Sequence, residues 1–134
     1  MKKQILYTAE APAPIGPYSQ AVRVGRMYYF SGQIALDPAS GDLIKESIED
    51  ETRQVMNNIR ALLQNAGLDF KNVVKTSIFI KNMDDFGRIN TVYGEFFSGD
   101  FPARETVEVA RLPKDVNVEI SITAYSPRKK KKNK

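Results

Sequence analysis

Residues Phe101–Pro113 read FPARETVEVARLP and run straight into KDVNVEISITA, Lys114–Ala124. Pro102 fixes the entry to a strand over Ala103–Ala110, and Pro113 with Lys114 and Asp115 closes it in a turn. The next segment alternates almost without interruption. Val116, Val118, Ile120, Ile122 and Ala124 share one side; Asn117, Glu119, Ser121 and Thr123 share the other. The earlier strand alternates as well, with Val107 and Val109 opposite Arg104, Thr106 and Glu108. Joined as an antiparallel pair, the two strands place Arg104 and Glu119 on the same, non-core face of a sheet. A fixed cation beside a carboxylate suits the holding and attack of a small acid, and the rest of the chain reads as scaffold for that face.

Working outward, Ser47-x-x-Asp50 has the form of a helix N-cap, and Glu49, Asp50 and Glu51 give an acidic first turn. Val55, Ile59, Leu62, Leu63 and Ala66 then form one apolar stripe, which Gly67 ends. Val73–Ile80, VVKTSIFI, is β-branched and strand-like. Asn82 caps a second helix with the stripe Phe86, Ile89, Tyr93, Phe96 and Phe97. Toward the N-terminus, Ala21–Val24 and Met27–Ile34 flank Gly25-Arg26, a hairpin signal, and Ile5–Tyr7 reads as a short strand. Hairpin, helix, strand, helix and hairpin make a two-layer α+β domain, with both helices on one face of the sheet. Two features interrupt the pattern. Ser31-Gly32 inside a strand marks a bulge, a close backbone approach or a simple bend. Ala9–Gln20, AEAPAPIGPYSQ, is a stiff loop that presents Tyr18 at a defined place or packs it over the core's edge.

At 134 residues the chain is one domain, spanning residues 1–126, with a basic, disordered tail at 127–134. The net charge of +4 belongs to that tail. Without its six cationic side chains the body carries 14 basic and 16 acidic residues, so nucleic acid is a disfavoured partner, and the tail lacks aromatics for base stacking. No apolar run reaches the length of a bilayer span, and nothing near the N-terminus has a signal peptide's apolar core. The chain therefore reads as cytoplasmic. There is no histidine and no cysteine, which removes Ser-His-Asp hydrolysis, thiolate chemistry and the common zinc sites. The carboxylates at Asp84-Asp85 and Glu49–Glu51 fall where helix starts favour negative charge, so no metal is expected. What remains is Arg, Glu, Tyr, Ser, Thr, Asn and backbone groups, a set suited to binding a carboxylate and activating water. Arg104 suits a bidentate carboxylate pair, or an ion pair with Glu108 or Glu119. Glu119 suits orienting or deprotonating water, or serves as one polar residue on a wet face.

The segments IGPYSQ (Ile15–Gln20), SGQI (Ser31–Ile34), AGL (Ala66–Leu68), VVKTSIFIKNMDDF (Val73–Phe86) and FPARETVEVARLPKDVNVEI (Phe101–Ile120) together resemble the RidA (YjgF/YER057c/UK114) family across Ala9–Ala124. The resemblance implies a chorismate-mutase-like fold and a homotrimer with clefts between subunits. It also implies cofactor-independent hydrolysis of 2-imino acids, or enamines such as 2-aminoacrylate, to 2-keto acids and ammonia. By the same resemblance Arg104 grips the substrate carboxylate, Glu119 holds the attacking water, and Tyr18 is an aromatic lid. Ser31 and Gly32 form the pocket wall, and Asn90 lies near the cleft. Thr106, where many relatives have cysteine, offers its backbone N–H. Glu105 stands where relatives carry a small residue, implying altered packing or an intersubunit pair. Two other functions remain open: a non-catalytic keto-acid-binding or chaperone-like trimer, and an RNA-directed translation inhibitor.

Overall fold

Why helix α1 (Ile48–Asn65) starts where it does is visible at Ser47, whose hydroxyl accepts a hydrogen bond from the Asp50 amide. Val55, Ile59, Leu62 and Leu63 are buried along one stripe. Gly67 follows at φ +74°, a conformation that side chains with a Cβ resist. The second helix, α2 (Phe86–Gly94), is shorter than its periodicity predicts. Asn82 caps a separate 3-10 turn, Met83–Asp85, instead of the helix itself. Phe96 and Phe97 leave the helix and pack on Phe70, with ring centroids 5.4 and 5.3 Å away.

Residues 2–128 are described by this computed structural model; the predicted disorder of the lysine run beyond them lies outside the described residues. The strands are β1 (Gln4–Leu6), β2 (Ala21–Val24), β3 (Met27–Gln33), β4 (Val73–Ile80), β5 (Ala103–Glu108) and β6 (Val118–Tyr125). They form one sheet in the order β1-β2-β3-β6-β4-β5. The β4–β5 pair is parallel and all other pairs are antiparallel. Gly25 turns the β2–β3 hairpin at φ 60°, as the sequence predicts. Tyr28 and Phe30 of β3, Ile78 and Ile80 of β4 and Ile120 and Ile122 of β6 share one core with Val55, Ile59 and Leu63 of α1 and Ile89 of α2. Both helices thus cover one face, and the two-layer α+β expectation holds.

The expected β5–β6 hairpin does not form. β4 lies between the two strands. The link over residues 109–117 is too long for a tight turn and crosses the end of β4. There the Val109 amide donates to the Ile80 carbonyl at 2.9 Å and the Lys81 amide to the Asn117 carbonyl at 3.0 Å. The consequence is large. Arg104 pairs with Thr76 and Thr106 with Ile78, and paired residues on adjacent strands point to the same side. Thr76 and Ile78 are buried in the helix layer, so Arg104 belongs to that layer. Glu119 pairs with Phe79 and lies on the uncovered face with Ser121 and Thr123. The predicted shared face for Arg104 and Glu119 is overturned.

Ile120 is fully buried in β6, the strand flanked by both β3 and β4. Ile120→Ala should lower the unfolding free energy by about 2–5 kcal/mol, measured by urea denaturation at constant m-value.

Candidate active site

On the uncovered face, β3 bulges. Its register with β6 passes from Phe30↔Ile122 to Gln33↔Ile120, so Ser31 and Gly32 together oppose Ser121. The bulge is also a close approach: a Cβ on Gly32 would lie 2.9 Å from the Glu119 Cδ. Only glycine lets that carboxyl lie against the β3 backbone. Around it opens a cleft of about 320 Å³, bounded by Tyr18, Gln20, Ser31, Gly32 and Glu119 on the polar side. Pro12, Ile15, Ile34, Leu36 and Pro113 make the apolar walls. Burial pushes the Glu119 pKa above the usual 4.5.

The proline-rich loop is held over this cleft by a residue that the sequence reading passed over. Gln20 is 2% exposed. Its Oε1 accepts from the Thr8 amide at 2.8 Å, and its Nε2 donates to the carbonyls of Thr8 and Pro12, each at 2.9 Å. A segment rich in proline has carbonyls but few N–H groups, so a buried amide side chain nearby was the available signal. Ser31 adds a second tie, its hydroxyl donating to the Ser19 carbonyl at 2.6 Å. Tyr18 is half exposed at the mouth, and its phenol oxygen accepts from the Ile15 amide at 3.3 Å.

The helix face carries the other group. Arg104 lies across the rings of Tyr93 and Phe86, 5.1 and 5.6 Å from their centroids, and its Nη1 donates to Asn90 Oδ1 at 2.7 Å. The stack and the bond fix the guanidinium plane, and its remaining donors are available to an anion. Asn90, Tyr93, Phe101, Pro102 and Arg104 border an open pocket of about 480 Å³. The Val109 amide faces β4, and N–H directions alternate along a strand. Those of Arg104 and Thr106 therefore face the sheet's open edge. The buried Thr106 hydroxyl has no hydrogen-bond partner among the described residues.

The predicted site residues thus fall into two groups, Tyr18, Ser31, Gly32 and Glu119 in one cleft and Asn90 and Arg104 in another, with Thr106 beside the second. Glu105 pairs within the chain, 2.8 Å from Lys75 Nζ and accepting from the Ser77 hydroxyl. Those two partners, Lys75 first, hold its carboxyl below the usual range. The sequence reading also missed Tyr93 and Phe86 as the seat of Arg104, because their spacing had assigned them to the core stripe.

Fold and clefts together define a two-layer α+β domain with a cleft on each face of one mixed sheet. The Endoribonuclease L-PSP family model matches residues 8–126, and the chain belongs to that family, the RidA/YjgF group that its sequence resembles. The 2-iminobutanoate/2-iminopropanoate deaminase of Mus musculus is 46% identical over 122 residues, which cover 91% of this chain and 90% of the mouse protein. The crystal structure of the Escherichia coli YjgF gene product matches with a TM-score of 0.88 at 42% identity, over 92% of this chain and 99% of that one. That of E. coli TdcF, with bound serine, matches with a TM-score of 0.89 at 39% identity, over 92% and 99%.

Because Glu119 holds its proton more tightly folded than unfolded, its ionisation weakens the fold as pH rises through the carboxyl range. Glu119→Gln removes that penalty. Its melting temperature should exceed wild type at neutral pH, and the difference should shrink as the carboxyl is protonated; a pH series of thermal melts checks this.

Proposed function

We propose that the protein hydrolyses 2-imino acids, and the enamines in equilibrium with them, to 2-keto acids and ammonia, in sites shared between copies of the chain. The observation that carries this reading is the complementary incompleteness of the two clefts. Among the described residues, one cleft offers a braced guanidinium with no carboxylate lining it; the other offers a desolvated carboxyl with no cation lining it. A single sheet cannot bring them together, whereas a neighbouring copy set against the open edge of β5 can. A homotrimer with three such clefts, as the family resemblance implies, closes that arrangement by symmetry. The mouse relative's name supports the reaction class.

In this reading Arg104 of one copy binds the substrate carboxylate, and Asn90 sets the guanidinium's orientation. The free Thr106 N–H meets the same anion at the sheet edge. Across the interface Glu119 accepts a proton from water as the water oxygen bonds to C2 of the protonated imine, which gives a tetrahedral aminoalcohol. The carboxyl then passes that proton to nitrogen, takes up the hydroxyl proton as the C–N bond breaks, and ammonia leaves a keto acid. The raised pKa of Glu119 brings it toward the range where a carboxylate is a useful base. Ser31 and Gly32 backbone groups line the reacting centre, Tyr18 covers it, and the apolar walls suit an alkyl side chain. No cofactor is called for. Imines hydrolyse readily in water, so positioning with one acid–base group, about a hundred- to ten-thousand-fold, is sufficient. The acidic body and the absence of histidine favour this reading over RNA cleavage.

The test generates 2-iminobutyrate in situ with an amino-acid oxidase and follows its loss. Wild type should accelerate it, and Arg104→Ala and Glu119→Gln should each abolish the acceleration. Co-refolding the two inactive variants should restore roughly a quarter of wild-type activity, because one chain then supplies the arginine and its neighbour the glutamate. No restoration would exclude shared sites, and keto-acid binding without accelerated imine loss would mark a binding module.

A further inference from the structure

Glu51, in the first turn of α1, is the one carboxyl group among the buried residues described, at 1% exposure. No cation pairs with it among the described residues. Both oxygens are instead committed to one residue: Oε2 accepts from the Asn117 backbone N–H and Oε1 from the Asn117 side-chain amide, each at 2.8 Å. The Asn117 carbonyl accepts from Lys81 at 3.0 Å, so its backbone and side chain are all held. Such a clamp is out of proportion to packing alone, since a buried carboxylate is poorly suited to adding stability.

Its position explains it. Just before Asn117, Lys114 and Asp115 both take positive φ, 54° and 55°, a conformation that requires support from its surroundings. Pro113 of that turn lines the Glu119 cleft, and Leu112 and Val116 pack with Ile34 and Leu36 beneath it. Two residues after Asn117 stands Glu119 itself. A slip of one residue there would send the Glu119 side chain into the opposite layer.

We propose that Glu51 is a positioning residue for Glu119. By gripping Asn117 it fixes where β6 enters the sheet and holds the carboxyl against Gly32. This rests on the reading that Glu119 acts on water.

Four variants test it. Glu51→Leu should lower kcat by roughly tenfold or more while leaving KM for the imine nearly unchanged, because Arg104 is untouched. Glu51→Gln should stay near wild type, since turning the Asn117 amide over preserves both hydrogen bonds. Asn117→Asp sets two carboxyl groups together and should lose activity, and adding Glu51→Gln to it should restore a donor and the rate. A second readout needs no turnover: the ¹³C titration of the Glu119 carboxyl should move toward the ordinary glutamate range in Glu51→Leu. An assembled Glu51→Leu protein with wild-type kcat and Glu119 titration would overturn the inference. So would failure of Glu51→Gln to rescue Asn117→Asp, which decides the matter if Glu51→Leu does not fold. If wild type shows no imine turnover, the proposed reaction falls and the Glu119 titration alone judges the clamp.

Discussion

A β-strand sends successive side chains to opposite faces, and this period of two governs the molecule's chemistry. β6 runs between β3 and β4 with Val118, Ile120 and Ile122 in the core, so Glu119 is bound to the uncovered face. The parallel β4–β5 register sets Arg104 opposite Thr76 and binds it to the helix face. Neither side chain can change layer without turning its whole strand over. The cation and the carboxyl are therefore kept apart in each chain by the same alternation that builds the core.

Each group is then tuned where it stands. The Ser31–Gly32 bulge removes the side chain that would otherwise occupy the space of the Glu119 carboxyl. Apolar walls strip water from that carboxyl and raise its pKa. On the other face, Tyr93 and Phe86 hold the Arg104 guanidinium flat, and Asn90 fixes its rotation. The Arg104 cleft is built on the helix layer itself, from side chains of α2. The fold supplies rigidity on one side of the sheet and leaves the other side, together with the β5 edge, open to a neighbour.

Local periodicity made much of this legible. The α1 stripe ending at Gly67, the alternation of β6 and the Gly25 hairpin follow from spacing alone, because each is fixed by residues close in sequence. Ser31-Gly32 stood out as a break in a strand, and the structure makes it both a bulge and a close approach. The relation between β5 and β6 did not follow. Alternation assigns faces within a strand but not the phase between strands, and the link over residues 109–117 steps across β4. The roles of Gln20 and Glu51 were hidden for a related reason. Their hydrogen bonds reach partners 12 and 66 residues away, beyond any local pattern. Arg104 and Glu119 were nameable from the sequence as candidates, while their separation onto two faces was not.

Under the proposed reaction, one site needs two copies of the chain. The most direct measurement is a crystal structure of the assembled protein with a 2-keto acid bound. The ligand carboxylate should lie on Arg104 of one copy, at about 2.9 Å, with C2 facing Glu119 of the adjacent copy beside Gly32. A keto acid held wholly by one chain, or an Arg104 sealed away from every Glu119 in the assembly, would contradict it.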